Sequence, residues 1–144
     1  MIGEPAVVER LLRDPGVWAV AGLSQDRSRD AYSIAALLQR LGMQIVPIHP
    51  RAEEVHGERG YARLADLPDG ARVDVVDCFV NSSRVGGVVD DAIAECERLG
   101  IGAIWMQLGV VDEAAADRAR AAGLAVVMDA CPAIEAPRLG IRTR

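Results

Sequence analysis

At 144 residues and a net charge of −5, the chain is long enough for one domain with one core, and too acidic for a general nucleic-acid or membrane-surface binder. Apolar residues make up 51% of it and aromatics only 3%, so Ala, Val, Leu and Ile must build the interior. All sixteen basic residues are arginine, which excludes a Schiff-base lysine and a Walker-type lysine clamp.

Residues 1–14 predict an N-terminal helix, with Val8, Leu11 and Leu12 on its apolar side. Residues 17–22 read as a buried strand that breaks at Gly22 into the polar turn Ser24-Gln-Asp-Arg-Ser-Arg29. Ile34, Leu37, Leu38 and Leu41 then recur at i, i+3, i+4 and i+7, which is helical spacing. After Gly42, residues 44–48 form a second strand that closes in His49-Pro50-Arg51. Residues 51–67 look irregular, with a short helix over 63–67. A third strand is expected at 73–79, a helix at 85–99, a fourth strand at 103–107, a helix at 112–122 and a fifth strand at 125–128. Gly42, Gly100 and Gly123 each follow a helix and precede an apolar residue, the pattern of a left-handed C-terminal stop.

Strands alternating with helices, the strands almost continuously apolar, indicate a parallel sheet covered on both faces. The expected fold is α/β, a Rossmann-like doubly wound five-stranded sheet, in the order 3-2-1-4-5. Residues 1–144 are read as a single domain, with 17–129 as its core and 130–144 as a C-terminal tail.

Ligands of such sheets bind at the carboxyl ends of the strands. Those ends hold small residues, hydroxyls, amides and arginine, and no acid–base pair, so no catalytic residue is assigned. The first turn has the makings of an anion site, a strand and glycine ahead of a helix start, but carries one glycine where the dinucleotide fingerprint has three. The second strand ends in His49, Pro50 and Arg51, without the acidic residue that takes the ribose hydroxyls of NAD. A neutral or cationic end suits a ribose phosphate, leaving NADP or coenzyme A. The missing glycines disfavour NADP.

Gly22-Leu-Ser24 with Arg29 and Tyr32, Val46-Pro-Ile-His-Pro50, Gly57 with Tyr61, Asp77-Cys-Phe79, Trp105-Met-Gln-Leu-Gly109, and Asp129-Ala-Cys131 with Glu135 together resemble the small stand-alone CoA-binding-domain proteins of bacteria and archaea. Those in turn are similar to the nucleotide-binding domain of the succinyl-CoA synthetase alpha subunit. The resemblance implies CoA or acyl-CoA as ligand, with Gly22, Ser24, Arg29, Pro47, Arg51, Phe79, Val80, Gln107 and Gly109 as its binding residues. His49, Ala31, Val80-Asn81 and Ala130 depart from the family pattern, and two of these departures remove cations.

Several residues have plainer alternatives. Ser24 suits a turn hydroxyl, and Arg51 a surface pair with Glu53 or Glu54. His49 and His56 read as solvated loop histidines. Asp74 and Asp77 read as capping and loop hydrogen-bonding groups, not metal ligands. Phe79 and Trp105 read as strand-end packing that also walls an adenine. Cys131, just past the fifth strand, is either a small packed side chain or a thiol that meets the thiol of CoA.

The sequence therefore points to a CoA-binding protein without catalysis of its own. An NADP-dependent reductase, an acyl-CoA ligase subunit and an interaction module with a vestigial cleft are the alternatives. A small-molecule ligand is expected, with no nucleic acid, metal or membrane. A protein partner or a homo-oligomer is left open. Three cysteines without metal-ligand spacing and strand-sized apolar runs suggest a reducing cytoplasm.

Overall fold

The computed structural model describes residues 5–144, so the predicted start of the first helix at residues 1–4 lies outside the described residues. The elements run α1 (Pro5–Arg13), β1 (Val17–Ala21), α2 (Asp30–Arg40), β2 (Gln44–Ile48), a 3-10 turn (Leu64–Asp66), β3 (Val75–Cys78), α3 (Ser82–Leu99), β4 (Ala103–Met106), α4 (Glu113–Ala121), β5 (Ala125–Val127) and α5 (Pro132–Arg138). All strand pairs are parallel, in one five-stranded sheet.

Side chains alternate across the sheet as a pleated strand requires. Trp18, Val20, Val75, Ala103, Trp105 and Val127 share a core with Leu12 of α1, Ile34 and Leu38 of α2, and Ala136 of α5. Ala19, Val76, Cys78, Ile104, Met106 and Val126 meet Val85 and Val89 of α3 and Ala115 and Ala119 of α4 on the other side. Trp18 and Trp105 are in contact in the first core, ring centroids 5.5 Å apart. The Trp105 indole N–H donates to the Ala130 carbonyl at 3.0 Å, tying the segment after β5 to the sheet.

The strand order differs from the expected 3-2-1-4-5: it is β2-β1-β3-β4-β5. This is the other common doubly wound order, with its switch point between β1 and β3. Pro47 is the physical reason that β2 cannot be central. It pairs in register with Val20 of β1 and has no N–H to give to a strand on the other side. Its carbonyl accepts from Tyr61 N at 3.0 Å, and His49 N donates to the Tyr61 carbonyl at 3.1 Å, so that edge is covered by one residue of the following loop. The chain then crosses to the far side of β1, where Asp74 N donates to the Val17 carbonyl at 2.8 Å and β3 begins. All four residues of β3 are buried, as befits a central strand.

The expected C-terminal tail contains α5, which packs on α1 and α2. The stop at its end repeats the earlier glycine pattern. Gly140 N donates to the Pro137 carbonyl, Ile141 N to the Ala136 carbonyl, and Gly140 has φ +71. Among the described residues, no helix is long and apolar enough to cross a membrane.

Candidate functional site

A cleft of about 1020 Å3 opens over the carboxyl ends of β1 to β4. Its floor depends on Gly22, which has φ +96. A Cβ placed there would stand 2.5 Å from the Phe79 carbonyl oxygen, so glycine is what lets the ends of β1 and β3 close together. Gly22 N in turn donates to the Ile48 carbonyl at 2.8 Å, which ties the turn to β2.

The turn after β1 is partly self-satisfied. Asp26 N donates to Ser24 Oγ at 3.2 Å, Ser28 N to Asp26 Oδ1 at 3.0 Å, and Arg29 N to the Asp26 carbonyl at 3.2 Å. Ser24 thus has the turn-hydroxyl role that sequence allowed, and it also lines the cleft. At the start of α2, Arg29 offers no side-chain cap, which leaves the first amides of that helix without one.

The loop after β2 is tied to this turn. Gln25 N donates to Glu53 Oε1 at 3.1 Å, and the Gln25 side chain donates to the Glu54 carbonyl. The bond from the Gln25 backbone N–H is the main cause that holds the Glu53 carboxyl below the usual range, with Arg51, 3.5 Å away, adding to it. His49 lies below the usual histidine value, through burial first and the Arg51 charge second. Its Nδ1 accepts from Arg51 N at 3.1 Å, a bond that only the neutral ring with the proton on Nε2 can make. His56 is not a free loop histidine. Its Nε2 lies 2.7 Å from the Tyr32 carbonyl and its ring rests on Tyr32, pinning the loop to α2.

Seven of the nine sequence-expected residues line the cleft: Gly22, Ser24, Arg29, Arg51, Phe79, Val80 and Gln107. Pro47 is instead buried within β2, and Gly109 sits in the loop after β4. There Gly109 N donates to Asp129 Oδ1 at 2.8 Å and its carbonyl accepts from Ser82 Oγ at 3.2 Å, joining the loops after β4 and β5 to the start of α3 at the rim. Cys131 lines the cleft and is free, at the foot of α5. Trp105 is fully buried in the floor core, so it does not wall the cleft as expected; Phe79 does.

Sequence reasoning passed over Arg63 and Arg84, which also line the cleft. With Arg29 and Arg51 they give four cations, two of them from segments that showed no motif. Arg29 is paired with Asp26 at 3.8 Å and Arg51 with Glu53, whereas Arg63 and Arg84 make no ion pair among the described residues. Being exposed, the two pairs contribute little to stability.

The two strand aspartates part company. Asp74 behaves as expected: Oδ2 accepts from Val17 N at 2.8 Å and Oδ1 pairs with Arg72. Asp77 corrects the expectation of a capping or loop hydrogen-bonding group: it is fully buried in β3, and neither of its oxygens has a hydrogen-bond partner among the described residues. Burial pushes its carboxyl well above the usual value.

Comparison with known proteins agrees with this geometry. The family model described as a CoA binding domain matches residues 16–137. The uncharacterized protein YneT of Bacillus subtilis is 28% identical over 126 residues, 88% of this chain and 89% of its own. A hypothetical protein from Pyrococcus horikoshii is 29% identical with a TM-score of 0.84, over 94% of this chain and 92% of that one. The dinucleotide-forming acetyl-coenzyme A synthetase 1 of Ca. Korarchaeum cryptofilum, solved with phosphate and ADP, is 28% identical with a TM-score of 0.65; the match takes in 85% of this chain but only 27% of the synthetase. With its family model spanning all five strands, this chain belongs to the CoA binding domain family.

Proposed function

We propose that the protein binds CoA or an acyl-CoA in the cleft and carries out no chemistry on it alone. The observation that carries this reading is the convergence of Arg29, Arg51, Arg63 and Arg84 on one cleft in a chain of net charge −5. Only a local cluster attracts an anion to such a molecule, and CoA presents a pyrophosphate and a ribose phosphate. Membership of the CoA binding domain family supports the same ligand.

In this arrangement Gly22, Ser24 and the start of α2 receive the pyrophosphate, with Arg29 beside it. Arg51, at the end of β2 where doubly wound folds read the ribose, takes the 3′-phosphate. Phe79, Val80 and Gln107 hold the adenine-ribose end, while Pro47 and Gly109 shape the wall from behind and from the rim.

Calorimetric titration with CoA, dephospho-CoA and NADPH tests the reading. CoA is expected to bind and NADPH not to; tight NADPH binding without CoA binding would overturn it. Arg51→Ala is expected to weaken CoA about tenfold and to leave dephospho-CoA nearly unchanged, because a charge-assisted bond to one phosphate is lost. Arg29→Ala should weaken both ligands alike. Equal losses for Arg51→Ala would move that arginine from the ribose phosphate to the pyrophosphate.

A further inference from the structure

Two enclosed polar groups in the middle of the molecule lack partners among the described residues, and the sheet brings them onto one face. In the ladder Asp77 stands between Val20 of β1 and Trp105 of β4, both in the core under α1, α2 and α5. Gln107 lies one residue past the end of β4, yet its N–H still donates to the Cys78 carbonyl at 3.4 Å, so the strand's alternation carried one step on places it on the same face as Trp105. With parallel strands about 4.8 Å apart and about 3.3 Å of rise per residue, a diagonal two residues along spans roughly 8 Å, within reach of a glutamine side chain.

Gln107 is 6% exposed and lines the cleft, yet its Oε1 is enclosed without a partner. Both Asp77 oxygens are in the same condition. An ionised carboxylate would be stranded there with no counter-charge. A protonated one has an O–H in need of an acceptor, and Gln107 Oε1 is an acceptor in need of a donor.

We propose that Asp77 is a positioning residue: its neutral carboxyl donates to Gln107 Oε1 and so turns the Gln107 amide N–H groups toward an acceptor of the ligand in the cleft. Asp77 itself touches no ligand. The ligand half of this inference rests on the CoA reading; the Asp77–Gln107 pair does not.

Among the described residues, charged groups on the covering elements do not offer Asp77 another partner, and Arg10 of α1 is exposed. On α1, Glu9 pairs with Arg13 at the surface. On α2, Asp30 and Arg40 are exposed, and Tyr32 packs at the edge of the core. On α5, Glu135 is held by Arg138 at 3.4 Å, and Cys131 is free and faces the cleft. Burial is the cause that raises the Asp77 carboxyl.

Infrared difference spectra of the whole chain, wild type minus Asp77→Asn at neutral pH, are expected to show the C=O stretch of a protonated carboxyl. A carboxylate band in its place would overturn the pair. In CoA titrations Asp77→Val should lose about tenfold in affinity, while Asp77→Asn, whose amide donates to the same oxygen, should stay within about twofold. Gln107→Leu should match Asp77→Val, and the double variant should lose no more than either alone. Wild-type affinity in Asp77→Val, or losses that add in the double variant, would overturn the positioning role. If the wild type takes up no CoA, the functional reading falls and the infrared band alone decides the pair.

Discussion

Gly22→Ala is expected to abolish ligand binding and to destabilise the fold by roughly 3 kcal/mol. The new methyl group would lie 2.5 Å from the Phe79 carbonyl oxygen, at a backbone φ of +96 that L residues rarely adopt. Neither neighbour yields easily. Phe79 N donates to the Ala21 carbonyl at 2.9 Å, and Gly22 N to the Ile48 carbonyl, so all three strand ends are locked to one another. Relief requires parting β1 from β3, and that distorts the cleft floor. Urea denaturation reads the stability loss and calorimetry the loss of CoA binding. Gly57→Ala is the control: Gly57 has φ +82 with nothing within 4 Å of an added Cβ, so only backbone strain of about 1–2 kcal/mol is expected, with binding retained. A Gly22→Ala protein with wild-type midpoint and affinity would refute the close-approach account.

Folding stability is expected to carry a component that declines as the pH rises above about 4, with Asp77 as its source. The unfolded chain gives up this proton near the ordinary value of 3.8, while the folded chain, whose carboxyl is raised by burial, keeps it to a much higher pH. Between those two values the unfolded state has lost a proton that the folded state retains. Each pH unit then favours unfolding by up to about 1.4 kcal/mol, and the decline ends once the folded carboxyl ionises. The sign is opposite for Asp26 and Glu53, lowered chiefly by hydrogen bonds from Ser28 and Gln25; their contribution is present near neutrality and lost as the pH falls through their folded values. Denaturation of wild type and Asp77→Asn in parallel from pH 4 to 8 isolates the group. The advantage of the Asn variant should widen as the pH rises above about 4 and level off where the folded carboxyl ionises; a constant difference would mean that Asp77 titrates alike in both states.

Much of the fold was legible because burial imposes simple patterns. The helix stops at Gly42, Gly100 and Gly123 follow from an apolar residue after a left-handed glycine, and the observed φ values are +95, +77 and +90. Strand order was less legible, since apolar strands look alike whichever neighbours they have. Pro47 was the available signal, because a missing N–H marks an edge. Leu139-Gly140-Ile141 was likewise a fourth copy of the helix stop, and reading it would have turned the tail into α5. In the cleft, residues adjacent to strand ends could be placed from chain order alone. Arg63 and Arg84 could not, because a loop crossing and the first turn of α3 deliver them from outside any strand end. Asp77 escaped for another reason: it falls within the strand expected at 73–79, but a lone carboxylate there reads as a hydrogen-bonded group, and only the packed sheet shows it enclosed.

Tyr61 and Pro47 have a consequence for how copies of this molecule can meet. The outer side of β2 would otherwise present open backbone groups to any passing strand. Here one carbonyl is already taken by Tyr61, the neighbouring amide is spent on Tyr61, and proline has no amide to offer. The opposite boundary, β5, is only three residues long. Growth of the sheet from one molecule into the next is therefore discouraged at both ends, and self-association is steered toward side-chain surfaces. For a chain with so apolar an interior, the consequence is that neither outermost strand is a good template for another strand.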